Sequence, residues 1–239
     1  MGASGEVDDL YGGEGEDVLY GHADSDYMLG GSGDDKLFGG PGMFPDGFVS
    51  DDQLRGGPGN DQLDGGSGDD TYELYGGFGH DRVTDASGDD YLAFESEDGL
   101  VIDLTPGANA NVSKKTRAGT IDWDSSVVIE DASGSFGNDK MVGNDAPNWL
   151  LGWDGDNDIA GGGGADTIWS DGGGTISGGE GNDDIGRGRG ESDIHGGPGD
   201  DEISGGLGAD VIDCGEGTDV ARLEPQAPEP VNCETVSRY

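Results

Sequence analysis

One apolar side chain in every nine residues is the dominant pattern of this chain. The row runs Leu19, Met28, Leu37, Leu54, Leu63, Tyr72, Val83, Leu92, then Met141, Leu150, Ile159, Ile168, Ile176, Ile185, Ile194, Ile203 and Ile212. Most members sit between two more polar residues, as in EIS at 202–204 or QLD at 62–64, which predicts a very short strand with one buried side chain. Two residues opening a unit are usually glycine. GGPGDDEIS at 196–204 is followed at once by GGLGADVID at 205–213. Counting from the first glycine, glycines fill the first, second and fourth places, aspartate the sixth and the apolar residue the eighth. Glycine at those places allows a tight turn with positive φ and close backbone packing.

Roughly eighteen such units can be followed, far more than glycine richness alone produces. The phase is broken by an insert, MFPDGFVS (Met43–Ser50), and by Leu74 and Tyr75. It is absent from 94 to 133 and is lost after Arg222. The expected organisation is a first repeat block (1–93), an intervening strand pair with a loop (94–133), a second block (134–222) and a C-terminal cap (223–239). In the intervening part Leu100, Ile102 and Leu104 alternate with polar or outward positions, as do Ile121 and Trp123, and Val127 and Ile129, which is strand periodicity. The loop between them holds Lys114, Lys115 and Arg117, a rare basic cluster, and a glycosylation sequon at Asn111-Val112-Ser113.

Charge limits what can hold so thin a core together. Only 31% of residues are hydrophobic, and 52 acidic residues face 11 basic ones for a net charge of −41. Such a balance leaves a chain unfolded unless something external neutralises it. Regularly spaced glycine and aspartate point to metal cations rather than a basic protein. The charge argues against nucleic acid and against anionic membrane surfaces, and no apolar run is long enough to span a membrane. MGASGEVDDL lacks the basic and apolar parts of a signal peptide, so export is expected by another route or as part of a longer chain.

The nine-residue phrase resembles the RTX (repeats-in-toxin, hemolysin-type) calcium-binding repeat, GGxGxDxUx. The resemblance covers most of the chain. It implies an all-β fold: a right-handed parallel β-roll, or β-solenoid, with two nine-residue units per coil, so that each turn stacks on the next but one. It also implies calcium between stacked turns, about nine ions in all, held by turn carbonyls and sixth-place carboxylates, as befits a hard cation. The implied ligands are Asp17, Asp35, Asp61 and Asp81 on one side of the first block and Asp26, Asp52, Asp70 and Asp90 on the other. In the second block they are Asp166, Asp183, Asp201 and Asp219 on one side, with Asp210 on the other. That other side reads Asp139, Asn157, Gly174, Ser192 and Asp210, so a calcium ladder is expected along one side of this block only. Asp24, in a fourth place, predicts a strained turn.

At tenfold excess over its dissociation constant each ion stabilises the fold by about 1.4 kcal/mol. About nine ions then contribute on the order of 12 kcal/mol, the size of a whole domain's stability. Folding is therefore expected to depend on calcium. A disulfide between Cys214 and Cys233 is expected to fold the proline-rich tail back over the last coil. No catalytic motif stands out, and His22, His80 and His195 fall at unrelated places in the phrase. The expected function is that of a secreted, extracellular calcium-binding module with a structural or adhesive role and a cell-surface or matrix partner, not an enzyme. The alternative is the repeat region of a secreted protease, lipase or epimerase whose catalytic domain lies outside this chain.

Overall fold

A computed structural model describes residues 7–40, 50–75, 77–96, 99–107, 109–112, 120–123 and 127–239. The insert up to residue 49, the basic cluster Lys114, Lys115 and Arg117, and Ser113 of the sequon lie outside the described residues. Among the described residues every regular element is a strand, and no helix is long and apolar enough to cross a membrane. The chain forms two compact units, residues 1–96 with 106–131, and residues 97–105 with 132–239. The segment between the repeat blocks is thus divided between them.

Each unit is a parallel β-solenoid with two sheets. In the first, Asp9–Glu14, Tyr27–Ser32, Gln53–Arg55, Thr71–Tyr75 and Tyr91–Glu95 stack in one sheet, and Val18–Tyr20, Lys36–Phe38, Gln62–Asp64 and His80–Thr84 in the other. Register follows the phrase: Leu19 pairs with Leu37, Leu37 with Leu63 and Leu63 with Val83. Strand Thr120–Asp122 joins the second sheet beside His80–Thr84 and turns antiparallel into Asn109–Val112. In the second unit the row Ile102, Met141, Ile159, Ile176, Ile194 and Ile212 runs up one sheet. Leu150, Ile168, Ile185, Ile203 and Ala221 run up the other. Because successive units alternate between sheets, repeat strands pair with the next but one, as the resemblance to the nine-residue repeat implies.

The whole eighth-place row is buried, as are Leu100, Ile102, Leu104, Ile121, Trp123, Val127 and Ile129. The last two alternate inward without forming a strand. Several strands are longer than the predicted three residues. Asp156–Gly163 and Gly173–Glu180 reach eight because the ladder continues through the glycine pair.

The glycines divide their work. Most second and fourth places take positive φ, as Gly31 (φ 118°) and Gly33 (φ 125°) show. A Cβ on Gly31 would also collide with the Gly13 carbonyl of the preceding coil. His22 and Asp24 hold those two places in their turn with φ of 83° and 69°, the strained geometry anticipated for Asp24. The first place instead keeps ordinary φ and is glycine for reasons of space, described below.

The tail closes the second unit. Cys214 and Cys233 are disulfide-bonded, and Thr235–Arg238 adds a parallel strand to Val220–Leu223. The Arg238 guanidinium donates to the carbonyls of Glu224 (3.1 Å) and Ala227 (2.9 Å), pinning the proline-rich loop.

The burial pattern sets a stability expectation. Ile194→Ala removes a fully buried member of the row and should lower the unfolding free energy by about 2–5 kcal/mol. Val211→Ala, on an exposed position of a neighbouring strand, should change it by less than about 0.5 kcal/mol. Denaturant unfolding in calcium checks both; equal losses would contradict a core built from one row.

Candidate metal centre

The sixth-place side chains form continuous ladders. Each carboxylate accepts, through Oδ1, the backbone N–H of the sixth residue one coil earlier. On one side of the first unit Asp17 N donates to Asp35 (2.8 Å), Asp35 N to Asp61 (2.8 Å) and Asp61 N to Asp81 (2.9 Å). On the other side the order is Asp8, Asp26, Asp52, Asp70 and Asp90, at 2.6–3.0 Å. In the second unit one side runs Asn148, Asp166, Asp183, Asp201 and Asp219, at 2.8–2.9 Å. The repeat phrase places the whole set: the turn fixes the sixth residue at its exit and the strand register stacks it on its equivalent.

In most of these carboxylates Oδ1 is thereby used while Oδ2 is stranded. Among the described residues Oδ2 of Asp17, Asp26, Asp35, Asp52, Asp61, Asp70, Asp81, Asp166, Asp183, Asp201 and Asp219 is buried with no hydrogen-bond partner. The surroundings make this worse. Asp35 Oδ2 faces the α-carbon of Gly30, where an added Cβ would collide with it and lie 2.8 Å from the Gly56 carbonyl oxygen of the next coil. The same pairing of carboxylate and next-coil carbonyl recurs at Gly12, Gly21, Gly39, Gly161, Gly178 and Gly196. The carbonyl keeps a backbone donor, as Gly31 N–H bonds to Gly56 O at 2.8 Å, but the carboxylate oxygen beside it has lost hydration and gained no partner. A hard cation with several oxygen ligands reverses that balance. The first-place glycine leaves this space open, and a side chain there would fill it.

The opposite side of the second unit is built differently. Asp139 Oδ2 accepts Ser135 N–H (2.7 Å) and Oδ1 accepts Leu100 N–H (2.6 Å) and the Ser135 hydroxyl (2.8 Å). Asp210 accepts Ser192 N–H through Oδ1 and Gly206 N–H through Oδ2, both at 3.1 Å. Asn157 supplies its own donor: Nδ2 donates to the carbonyls of Gly152 (2.8 Å) and Asp154 (3.3 Å) and to Ser170 Oγ (3.1 Å). An amide N–H₂ thus occupies the place that faces only acceptors elsewhere. Asp210, which the sequence groups with the ligands, is the one implied ligand of the second block whose two oxygens both have N–H donors.

Three features escaped the sequence reading. Glu130 ends the first unit's ladder by accepting Asp90 N–H (3.0 Å), and Glu234 ends the second unit's by accepting Asp219 N–H (2.8 Å). Both lie outside the phrase, so periodicity does not mark them. Fifth-place side chains form a second ladder running the other way: Asp69 N–H donates to Asp51, Asp89 N–H to Asp69, and Thr218 N–H to Asp200, at 2.8–3.0 Å. The frequent Asp or Asn at that place was a visible signal. Third, Asp85 lies with Asp70 and Asp90 in a cluster whose oxygens fall within 4.8 Å of one another. The three histidines are exposed.

Burial holds these carboxyls above the ordinary range. It pushes Asp52, Asp61 and Asp201 up to about 6, Asp166 to about 7, and Asp70 and Asp81 to about 8. The ladder N–H bonds oppose the rise without cancelling it. Asp26, Asp35 and Asp183 move the same way for the same reason. A carboxyl raised in the folded state favours folding only while it stays protonated. Calcium-free protein should therefore be most stable near its unfolded carboxyl pKa of 3.8 and lose stability as pH rises through the 6–8 range. Unfolding measured in chelator across pH checks this; equal stability at both ends of that range would contradict it.

The comparisons agree with this geometry. The family model of the RTX calcium-binding nonapeptide repeat, a model of four copies, matches residues 3–42, 46–74, 73–99, 133–168 and 187–221. Comparison with curated proteins gives no match. The matched segments span well over half the chain and contain nearly all the turns that carry the ladders. The chain belongs to the RTX calcium-binding nonapeptide repeat family.

Proposed function

We propose that the protein is a secreted calcium-binding β-roll that folds as it takes up several calcium ions, and that its role outside the cell is structural or adhesive. One observation carries the reading: eleven buried carboxylate oxygens, in ladders, with no partner of their own. Calcium supplies the positive charge those oxygens lack. The protein supplies the rest, with Oδ1 bonds that aim each carboxylate, first-place glycines that keep the space open, and a disulfide-bonded tail that closes one end. The reading assigns ions to both sides of the first unit and to the Asp166–Asp219 side of the second. Asp139, Asn157 and Asp210 are satisfied by protein donors and hold none.

The adhesive part rests on the surface. Trp149, Trp153 and Trp169 are each nearly half exposed, and the register sets Trp169 beside Leu151, midway between the other two. Exposed aromatic groups gathered in this way mark contact surfaces. The reading assigns no catalytic residue, since the buried acidic groups are accounted for by the ladders.

Far-ultraviolet circular dichroism and hydrodynamic radius, with calcium and with excess chelator at pH 7.5, test the coupling of folding to metal. Chelator should abolish the β signal and expand the chain; a compact β-structured protein in chelator would overturn the reading. Asn157→Asp provides a local check. It removes three hydrogen bonds from a buried amide and sets a carboxylate against two carbonyls, which should cost about 1–3 kcal/mol at low calcium. High calcium should recover the loss; a variant as stable as the parent at low calcium would contradict the stand-in role of the amide.

A further inference from the structure

We propose that Asp85 is a calcium ligand, and that Asp70, Asp85 and Asp90 together form the tightest site of the first unit. The inference rests on the calcium reading above and goes beyond the repeat phrase, in which the first place is glycine and contributes no side chain. Asp85 holds that first place in the unit DASGDDYLA. Its carboxylate therefore sits where other turns leave open space, close to the stacked sixth-place groups Asp70 and Asp90.

Four contacts define the cluster. One oxygen from each of the three aspartates lies within 4.8 Å of the others. Asp70 is fully buried, its Oδ1 accepts Asp52 N–H at 2.6 Å, and its Oδ2 has no partner. That Oδ2 is aimed inward: it and the Tyr72 hydroxyl both crowd the α-carbon of Gly65. The Tyr72 hydroxyl in turn donates to Asp85 Oδ2 and accepts Gly65 N–H at 3.1 Å. Asp85 Oδ1 accepts Ser87 N–H at 3.0 Å, which fixes the carboxylate toward the cluster.

The physical consequence is a site with three carboxylates where its neighbours have two. Affinity for calcium rises with the number of charged ligands and with the rigidity of the site. Tyr72 contributes to that rigidity. It is the one tyrosine in the eighth-place row, and it reaches from the core into the turn to hold Asp85. Without a cation the three groups repel one another, so the gap between these turns should be the first to fill and the most costly to leave empty.

Calcium titration by calorimetry, on the full chain and on Asp85→Gly and Asp85→Asn, tests the assignment. Asp85→Gly restores the repeat phrase, and Asp85→Asn keeps the shape without the charge. The parent should show one ion bound more tightly than the rest. In both variants that ion should weaken by roughly tenfold or more while the others keep their affinity. Unchanged or tighter binding in both variants would overturn the proposal. A second measurement needs no Asp85 variant: the first equivalent of terbium should give emission sensitised by tyrosine, and Tyr72→Phe should lose most of it. Emission undiminished by Tyr72→Phe would place the first ion elsewhere and also overturn the proposal. A parent that binds no calcium at all would instead defeat the β-roll reading on which this rests.

Discussion

A buried carboxylate oxygen facing a backbone carbonyl, with no donor between them, is the constraint on which this structure turns. In an ordinary core such a contact is eliminated. Here it recurs coil after coil, at Asp35 and Gly56, at Asp26 and Gly39, at Asp183 and Gly196. The apolar row offers one side chain per nine residues, too little to offset the conformational entropy of ordering so glycine-rich a backbone. In the proposed reading bound calcium meets that deficit, which would make the acidic groups a requirement of the fold rather than a burden on it.

The rest of the architecture follows from keeping those oxygens in place. Sixth-place carboxylates bond backward to the preceding coil and fifth-place ones forward to the next, so each turn is tied to both neighbours before any ion arrives. Second- and fourth-place glycines shape the turn, and the first-place glycine leaves the space. Glu130 and Glu234 use their extra methylene to reach the last N–H of a ladder where no further aspartate follows. The second unit contains its own comparison. Where Asn157 replaces aspartate, the amide bonds directly to the carbonyls of its turn, and the site satisfies itself.

The sequence made the periodic part legible. The eighth-place row gave the core, the sixth-place row the ladders, and the alternation of sheets followed from pairing each unit with the next but one. The asymmetry of the second block could be read from Asn157, Gly174 and Ser192. What escaped was whatever departed from the phrase. Asp85 stands in a place the phrase gives to glycine, and Glu130 and Glu234 lie outside the repeats; their contacts depend on three-dimensional closure rather than spacing. The long strands of the second unit were missed because glycine weakens strand propensity, while stacking between identical turns overrides it.

If folding is coupled to calcium as proposed, a chain built on stranded carboxylates gains its structure only where the ion is abundant. The most direct measurement is anomalous X-ray scattering from crystals grown in calcium. The account predicts peaks beside the stranded Oδ2 atoms on both sides of the first unit and along Asp166, Asp183, Asp201 and Asp219, with none beside Asn157. Ordered coils with no peaks at those oxygens, or peaks as strong beside Asn157 as beside Asp183, would contradict it.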